Sequence, residues 1–119
     1  MIAMRRHDFK QALHNFSLAE KAASENLMSA DQKIDLWIQQ SLCYRELHDL
    51  DQAMLILSQA INDDTISSLR VKAMYLRAEI YALQGRHDLA RKQLEATAKK
   101  GGDWALKSKE RLKHDVIHP

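Results

Sequence analysis

The sequence predicts an all-α protein, and three observations support that fold class. Three glycines and one proline among 119 residues leave few of the signals that mark turns and strand ends. Alanine, leucine, lysine, glutamine, glutamate and arginine, all of which favour helices, are plentiful. Apolar residues also recur at the helical period along most of the chain. A chain of this length forms about one domain.

Helical periodicity divides the chain into six blocks, at residues 2–26, 30–47, 50–62, 66–84, 87–99 and 103–115. Four blocks have a side chain at their start that can cap a first helical turn: Ser29, with Gln32 in a capping box, Asp49, Thr65 and Asp103. Gly85 and Gly101–Gly102 end two blocks, because glycine accepts the left-handed conformation that follows many helices. The short connections predict antiparallel neighbours.

Two of the predicted helix pairs are copies of one unit. The stretch YRELHDLDQAMLILSQAI aligns without a gap on YALQGRHDLARKQLEATA at a shift of 37 residues. That shift superimposes Tyr44 on Tyr81, Asp51 on Asp88, Ala53 on Ala90 and Leu57 on Leu94. A partial copy, RRHDFKQALHNFSLAEKA, precedes both at a shift of 41, with Asp8 on Asp49, Ala12 on Ala53 and Ala19 on Ala60. The chain therefore contains an internal repeat.

Small side chains occupy one stripe of the second helix of the middle unit. Ala53, Leu57 and Ala60 share a face, because positions three, four and seven apart are aligned on a helix. The two alanines let another helix approach closely. We therefore expect this stripe to pack against the helix that carries Trp37 and Tyr44.

The repeated pattern resembles the tetratricopeptide repeat, a helix–turn–helix unit with the signature W-x2-L-G-x2-Y, then A-x3-F, and a closing proline. In the middle copy the matching residues are Trp37, Tyr44, Ala53, Leu57 and Ala60, whereas Gln40 and Ser41 stand where Leu-Gly is typical. In the last copy the matching residues are Tyr81, Gly85, Ala90 and Leu94, whereas Met74, Arg77 and Thr97 depart and no proline follows. The resemblance implies an α-solenoid, a right-handed superhelix of stacked antiparallel helix pairs.

On this resemblance the chain is one repeat domain, residues 1–119. It divides into a partial first repeat (1–28), a second repeat (29–65), a third repeat (66–102) and a capping helix with a tail (103–119). The first copy lacks most of its leading helix, which leaves Ile2, Phe9, Leu13 and Phe16 without their usual cover. Three explanations stay open: the chain is part of a longer protein or assembly, the long linker rearranges the packing, or the N-terminal helix forms a homodimer.

In this family the leading helices line a groove that holds a peptide or helix of a partner. The resemblance places these residues in it: Asp35, Ile38, Gln39, Leu42, Arg45, Glu46, Lys72, Tyr75, Leu76 and Glu79. Their alternating apolar and charged character suits an amphipathic segment. Ordinary solvated side chains are the alternative interpretation. The subtype that clamps the carboxylates of chaperone tails is disfavoured, because Leu76 occupies an arginine position and cannot hydrogen-bond a carboxylate.

A different class of function, binding to nucleic acid or an anionic surface, is the alternative. The 18 basic and 16 acidic side chains nearly cancel, but residues 86–115 carry nine basic against five acidic ones. The candidate cations are Lys99, Lys100, Lys107, Lys109, Arg111 and Lys113. Acidic residues dilute this region, and Trp104 is its only aromatic residue, so nucleic-acid binding is disfavoured. In the last helix we expect Trp104, Ala105 and Leu112 to face the stack, and Lys107, Lys109, Glu110 and Lys113 to face solvent.

Enzyme chemistry has little support in the sequence. Cys43 is the single cysteine, expected as a buried small hydrophobe. The histidine pairs His7 with His14 and His114 with His118 lack a third ligand. We therefore expect no catalytic residue, metal or cofactor. No apolar run reaches the ~18 residues of a membrane span. A cytoplasmic location is favoured, and the bacterial cell envelope stays open if a signal sequence is missing.

Overall fold

The computed structural model describes residues 6–25, 29–62 and 67–117, which form six helices. These are α1 (Arg6–Glu25), α2 (Ala30–Glu46), α3 (Leu50–Asn62), α4 (Ser68–Leu83), α5 (His87–Ala98) and α6 (Asp103–Ile117). Nothing in these ranges is a strand, so the predicted all-α class is confirmed. The helix bounds agree with the predicted blocks to within a few residues, and the proposed start at residue 2 lies outside the described residues.

Side-chain caps begin three of the helices. Ser29 and Gln32 form the predicted capping box at α2, with N–O distances of 2.9 and 3.2 Å. At α3 the Gln52 amide donates to the Asp49 carboxylate at 3.3 Å, also as predicted. At α4 the cap is Ser67, whose hydroxyl accepts from the Leu69 amide at 3.1 Å.

The other two predicted caps are Thr65 and Asp103. Thr65 lies outside the described residues. The expectation that Asp103 caps α6 is wrong, because Asp103 is already the first helical residue and the first backbone bond runs from Leu106 N to Gly102 O at 3.1 Å. At the first helical position the Asp103 carboxylate instead lies near the positive end of the helix dipole.

The turns after α2 and α4 are structural copies of each other at the same shift of 37 residues. After α2, His48 N donates to Arg45 O at 3.0 Å and Asp49 N to Tyr44 O at 2.9 Å. After α4, the same two bonds run from Gly85 to Ala82 and from Arg86 to Tyr81. This pair of bonds is the Schellman arrangement, which requires a left-handed residue just past the helix. His48 (φ 62°) and Gly85 (φ 78°) fill that position.

The helices form two layers. In what we call the leading layer, α2 contacts α4 and α4 contacts α6; the trailing layer consists of α1, α3 and α5. Each helix also packs on its neighbours in sequence, and no trailing helix contacts another within the described residues. The arrangement is a solenoid-like stack of antiparallel helix pairs. The leading layer therefore presents a continuous surface built from three parallel-stacked helices.

A single apolar cluster joins α2, α3 and α4. Ala53 and Ala60 are fully buried in it, and the rings of Trp37 and Tyr44 pack against it. This agrees with the expected role of the alanine stripe. In α1 the matching Ala19 is exposed, because the only described helix that α1 contacts is α2.

Two polar residues of the leading layer form hydrogen bonds to trailing helices. Gln40 Nε2 donates to Glu20 Oε2 at 3.1 Å, between α2 and α1. Arg77, one repeat later, donates from Nε to Gln93 Oε1 at 2.7 Å and from Nη1 to Ser58 Oγ at 3.4 Å. Burial lowers the pKa of Arg77. The nearby Tyr81 acts to raise that pKa and the charge of Arg70 acts to lower it, with the net shift downward. Arg77 thus links α3 and α5, which do not touch directly.

Enlarging Ala53 tests the close approach of α3 to its neighbours. We expect Ala53→Trp to lower the free energy of unfolding by about 1–3 kcal/mol or more, because the fully buried position has no room for a ring. Leu55→Trp is the control on the same helix, where the side chain is 56% exposed and the expected change is within about 0.5 kcal/mol. Denaturant melts measure both. An unchanged melt for Ala53→Trp would contradict the packing.

Reciprocal substitutions test the two copied turns. His48→Gly should raise the free energy of unfolding by about 1 kcal/mol, because a residue with a Cβ is strained at positive φ. Gly85→Ala should lower it by about 1 kcal/mol. Its added Cβ would meet no atom within 4 Å, so backbone strain alone sets the cost. Opposite signs in thermal melts are expected, and equal signs would refute a shared turn conformation.

Candidate functional site

An ion-pair bridge crosses all three helices of the leading layer. Glu79 of α4 accepts from Arg45 of α2 at 3.2 Å through Oε1 and from Arg111 of α6 at 3.1 Å through Oε2. The side chains of Arg45, Glu79 and Arg111 are 32%, 23% and 30% exposed, so the bridge lies at the protein surface and each of its side chains is mostly covered. One carboxylate therefore holds two guanidinium groups from different helices.

Beside the bridge, aromatic rings and ammonium groups meet between α4 and α6. The Tyr75 and Trp104 rings are tilted by 40° with centroids 5.4 Å apart. Lys107 Nζ lies 4.1 Å and Lys72 Nζ 5.6 Å from the Trp104 ring centroid. Arg111 lies 5.9 Å from the Tyr75 centroid, which connects this group to the bridge. Such cation–π contacts contribute roughly 0.5–1 kcal/mol each at exposed sites.

We call these side chains together the cationic cluster: Arg45, Lys72, Tyr75, Glu79, Trp104, Lys107 and Arg111. Four cations stand against the one carboxylate of Glu79. Neither Lys72 nor Lys107 forms an ion pair with any carboxylate in the described part of the chain. The cluster is therefore a partly exposed surface with a positive potential and two large rings.

Four of the ten predicted groove residues belong to the cluster. They are Arg45, Lys72, Tyr75 and Glu79. The predictions for Ile38 and Leu76 are wrong, because these side chains are 0% and 7% exposed and belong to the apolar cluster of the core. Leading helices bury the side that faces the trailing layer, so every third or fourth position is unavailable to a ligand.

The other four predicted residues lie on α2 outside the cationic cluster. Asp35 and Glu46 are exposed, while Gln39 and Leu42 are half-buried and Leu42 packs against the core. Glu46 lines a shallow cleft at the end of α2, beside Arg45 and His48. Their part in any binding site stays a prediction.

Three residues of the cluster, all on α6, are not among the predicted groove residues. Trp104 is predicted to face the stack, Lys107 to lie on a solvated cap and Arg111 to belong to a basic region. A signal was available, because Trp104, Lys107 and Arg111 have the same spacing, three and then four residues, as Lys72, Tyr75 and Glu79 on α4. Adjacent leading helices with matching stripes place those stripes side by side.

The basic residues near the C-terminus do not gather on one surface. Lys107 and Arg111 belong to the cluster. Lys109 and Lys113 are exposed at helical positions well away from that stripe, and Lys113 pairs with Glu110 at 3.9 Å. Lys99 and Lys100 lie in the turn between α5 and α6. Lys109 and Lys113 therefore lie on a different side of α6 from the two cations of the cluster.

Residues considered for other chemistry occupy unremarkable positions. Cys43 is buried. Burial is the main cause that raises the pKa of its thiol above the ordinary value, and the nearby charge of Glu46 raises it further, so the thiol is protonated at neutral pH. His14 and His114 are exposed, while His118 and the His7 side chain lie outside the described residues. In the described ranges no three His, Cys, Asp or Glu side chains converge as metal ligands. None of the described helices has the length and apolar character needed to cross a bilayer.

Comparisons with known proteins identify no relative. No protein-family model matches the chain, and neither a search of curated proteins nor a search of solved structures gives a match.

Removing the central carboxylate tests the bridge. Glu79→Gln removes the carboxylate charge that Arg45 and Arg111 share, and we expect it to lower the free energy of unfolding by about 1 kcal/mol. The control is Glu110→Gln, which breaks the ion pair with Lys113, and it should have almost no effect because these two side chains are 68% and 75% exposed. The Glu79→Gln effect should shrink in high salt, as measured by chemical melts at two ionic strengths. A cost that salt leaves unchanged would show that the bridge is not electrostatic.

Proposed function

We propose that the protein is a non-catalytic protein-interaction module of the tetratricopeptide-repeat kind. In this proposal a peptide or helix of a partner protein lies across the leading layer and contacts the cationic cluster. The observation that carries the proposal is the cluster itself. In it, partly exposed charges from α2, α4 and α6 adjoin two rings, one from α4 and one from α6. Aromatic and arginine side chains are the residue types that contribute most often to binding energy at protein interfaces.

The rigidity of the underlying stack also supports this function. Tyr75 and Trp104 are held by their mutual contact and by the helices beneath them, so little side-chain freedom remains to be lost on binding. The two bridging arginines are similarly held by Glu79. A surface organised before the partner arrives binds with a smaller entropy cost than a flexible one.

The family assignment rests on the sequence repeat and on its agreement with the fold. The copied turns at a shift of 37 residues and the two-layer stack are what a helical repeat protein of this kind requires. The departures from the family pattern, at Gln40 and Arg77, are accommodated by hydrogen bonds to trailing helices. These observations favour the tetratricopeptide-like class over an unrelated helical bundle.

Site-directed photocrosslinking tests where a partner binds. A photoreactive phenylalanine in place of Tyr75 should form an adduct with a partner protein in cells, whereas the same group at Leu89, an exposed position of the trailing layer, should not. The Tyr75 adduct should disappear when Arg45→Glu and Lys72→Glu are introduced together, because both contacts change sign. Adducts identified by mass spectrometry provide the readout.

A matched charge reversal serves as the control. Arg91→Glu with Lys92→Glu, both exposed on α5, changes net charge equally and should leave the Tyr75 adduct intact. Equal crosslinking from both layers, or an adduct that survives reversal at Arg45 and Lys72, would rule out binding at this surface.

A further inference from the structure

We propose that the partner segment is acidic, and that the cationic cluster binds two of its carboxylates through Lys72 and Lys107. This inference rests on the proposed function and specifies its ligand. The partner is a stretch of protein chain rich in Asp or Glu that passes over Trp104.

Two unpaired ammonium groups on one ring carry the inference. Lys72 and Lys107 lie 5.6 and 4.1 Å from the centroid of Trp104, and neither has a carboxylate partner among the described residues. No described carboxylate forms an ion pair with either ammonium group, and the quadrupole of the ring compensates their charge only in part. Carboxylates of a partner would supply the missing charge at both positions.

The ring also fixes where the ammonium groups are. A lysine side chain free in solvent loses considerable rotamer freedom when it forms an ion pair. Contact with Trp104 already restricts both lysines, so part of that cost is met before the ligand binds. Both ammonium groups lie within 5.6 Å of one ring centroid, so one segment that passes over the ring can approach both of them. Acidic residues in such a segment lie about 7 Å apart when they are two apart in an extended chain, or about 5–6 Å apart when they are three to four apart in a helix.

The remaining charges favour a carboxylate over a nucleic-acid phosphate. Arginine is the side chain that matches phosphate in a bidentate manner, and both arginines of the cluster are already bound to Glu79. Lys109 and Lys113, which a nucleic-acid surface would need to share with the cluster, lie elsewhere on α6. The cations left open to a ligand are thus the two ammonium groups beside Trp104.

Two labelled peptides titrated into the full chain test the inference. One is rich in Glu and Leu, and the other has the same sequence with every Glu replaced by Gln. The readout is the indole N–H signal of each tryptophan in nitrogen-15 NMR spectra, with Trp104→Phe to assign the two signals. Trp37, whose indole donates to Glu20 of α1 at 3.4 Å, is the internal control. We expect the Glu peptide to shift the Trp104 signal and leave the Trp37 signal in place.

Charge-matched variants give the quantitative test. Lys72→Gln and Lys107→Gln should each weaken binding of the Glu peptide about fivefold, as expected for a surface ion pair. Lys109→Gln with Lys113→Gln removes the same charge as the double variant at Lys72 and Lys107, but from outside the cluster. That control should change affinity by less than about twofold, because only long-range attraction is altered.

Three outcomes would overturn the inference. If the Gln peptide binds as tightly as the Glu peptide, or if neither shifts the Trp104 signal, the ligand is not an acidic segment. If a single-stranded oligonucleotide shifts that signal more strongly, and loses affinity in the Lys109 and Lys113 variant, the surface binds nucleic acid. In the first two cases the comparison of crosslinking at Tyr75 with crosslinking at Leu89 still decides the proposed function independently, because that comparison does not depend on the charge of the partner.

Discussion

The close approach of α3 to α2 is the contact on which the rest of the fold depends. Ala53 and Ala60 are fully buried there, and their small side chains let the core of α2, α3 and α4 close around Trp37 and Tyr44. An isolated helix of this length is marginal in water, so each pair is stable only when its apolar face is covered. Stacking one pair on the next then brings α2, α4 and α6 together in one layer, and the cationic cluster exists only because of that layer.

Buried polar residues show how the stack accepts departures from a purely apolar pattern. Ser41, Thr97 and Ser108 are buried, and each hydroxyl donates to a carbonyl of its own helix at 2.6–2.8 Å. The hydroxyl is satisfied without a partner on the facing helix, so the helices remain close. Gln40 and Arg77 take the opposite course and bond to other helices, which ties the two layers together. Small or polar side chains at these positions are therefore compatible with the fold.

The candidate surface combines a neutralised part with a charged part. The Arg45–Glu79–Arg111 bridge fixes the three leading helices with respect to one another, while Lys72 and Lys107 beside Trp104 stay without acidic partners in the described structure. The first part provides a defined platform and the second provides a charge for a ligand to satisfy. Separation of these two roles explains why a chain with a formal net charge of only +2 can present a locally cationic site.

The sequence by itself determined the all-α class, the six helices, the repeat and the alanine stripe, because helical period and capping residues act over a few neighbours. It also selected Arg45, Lys72, Tyr75 and Glu79. Tertiary structure alone decided that Ile38 and Leu76 are buried, that Ser67 caps α4 and that α6 supplies Trp104, Lys107 and Arg111 to the cluster. The physical reason is that packing against neighbouring helices sets the rotation of each helix about its own axis. The apolar pattern of one helix does not determine that rotation precisely enough to say which of its side chains meet those of the next helix.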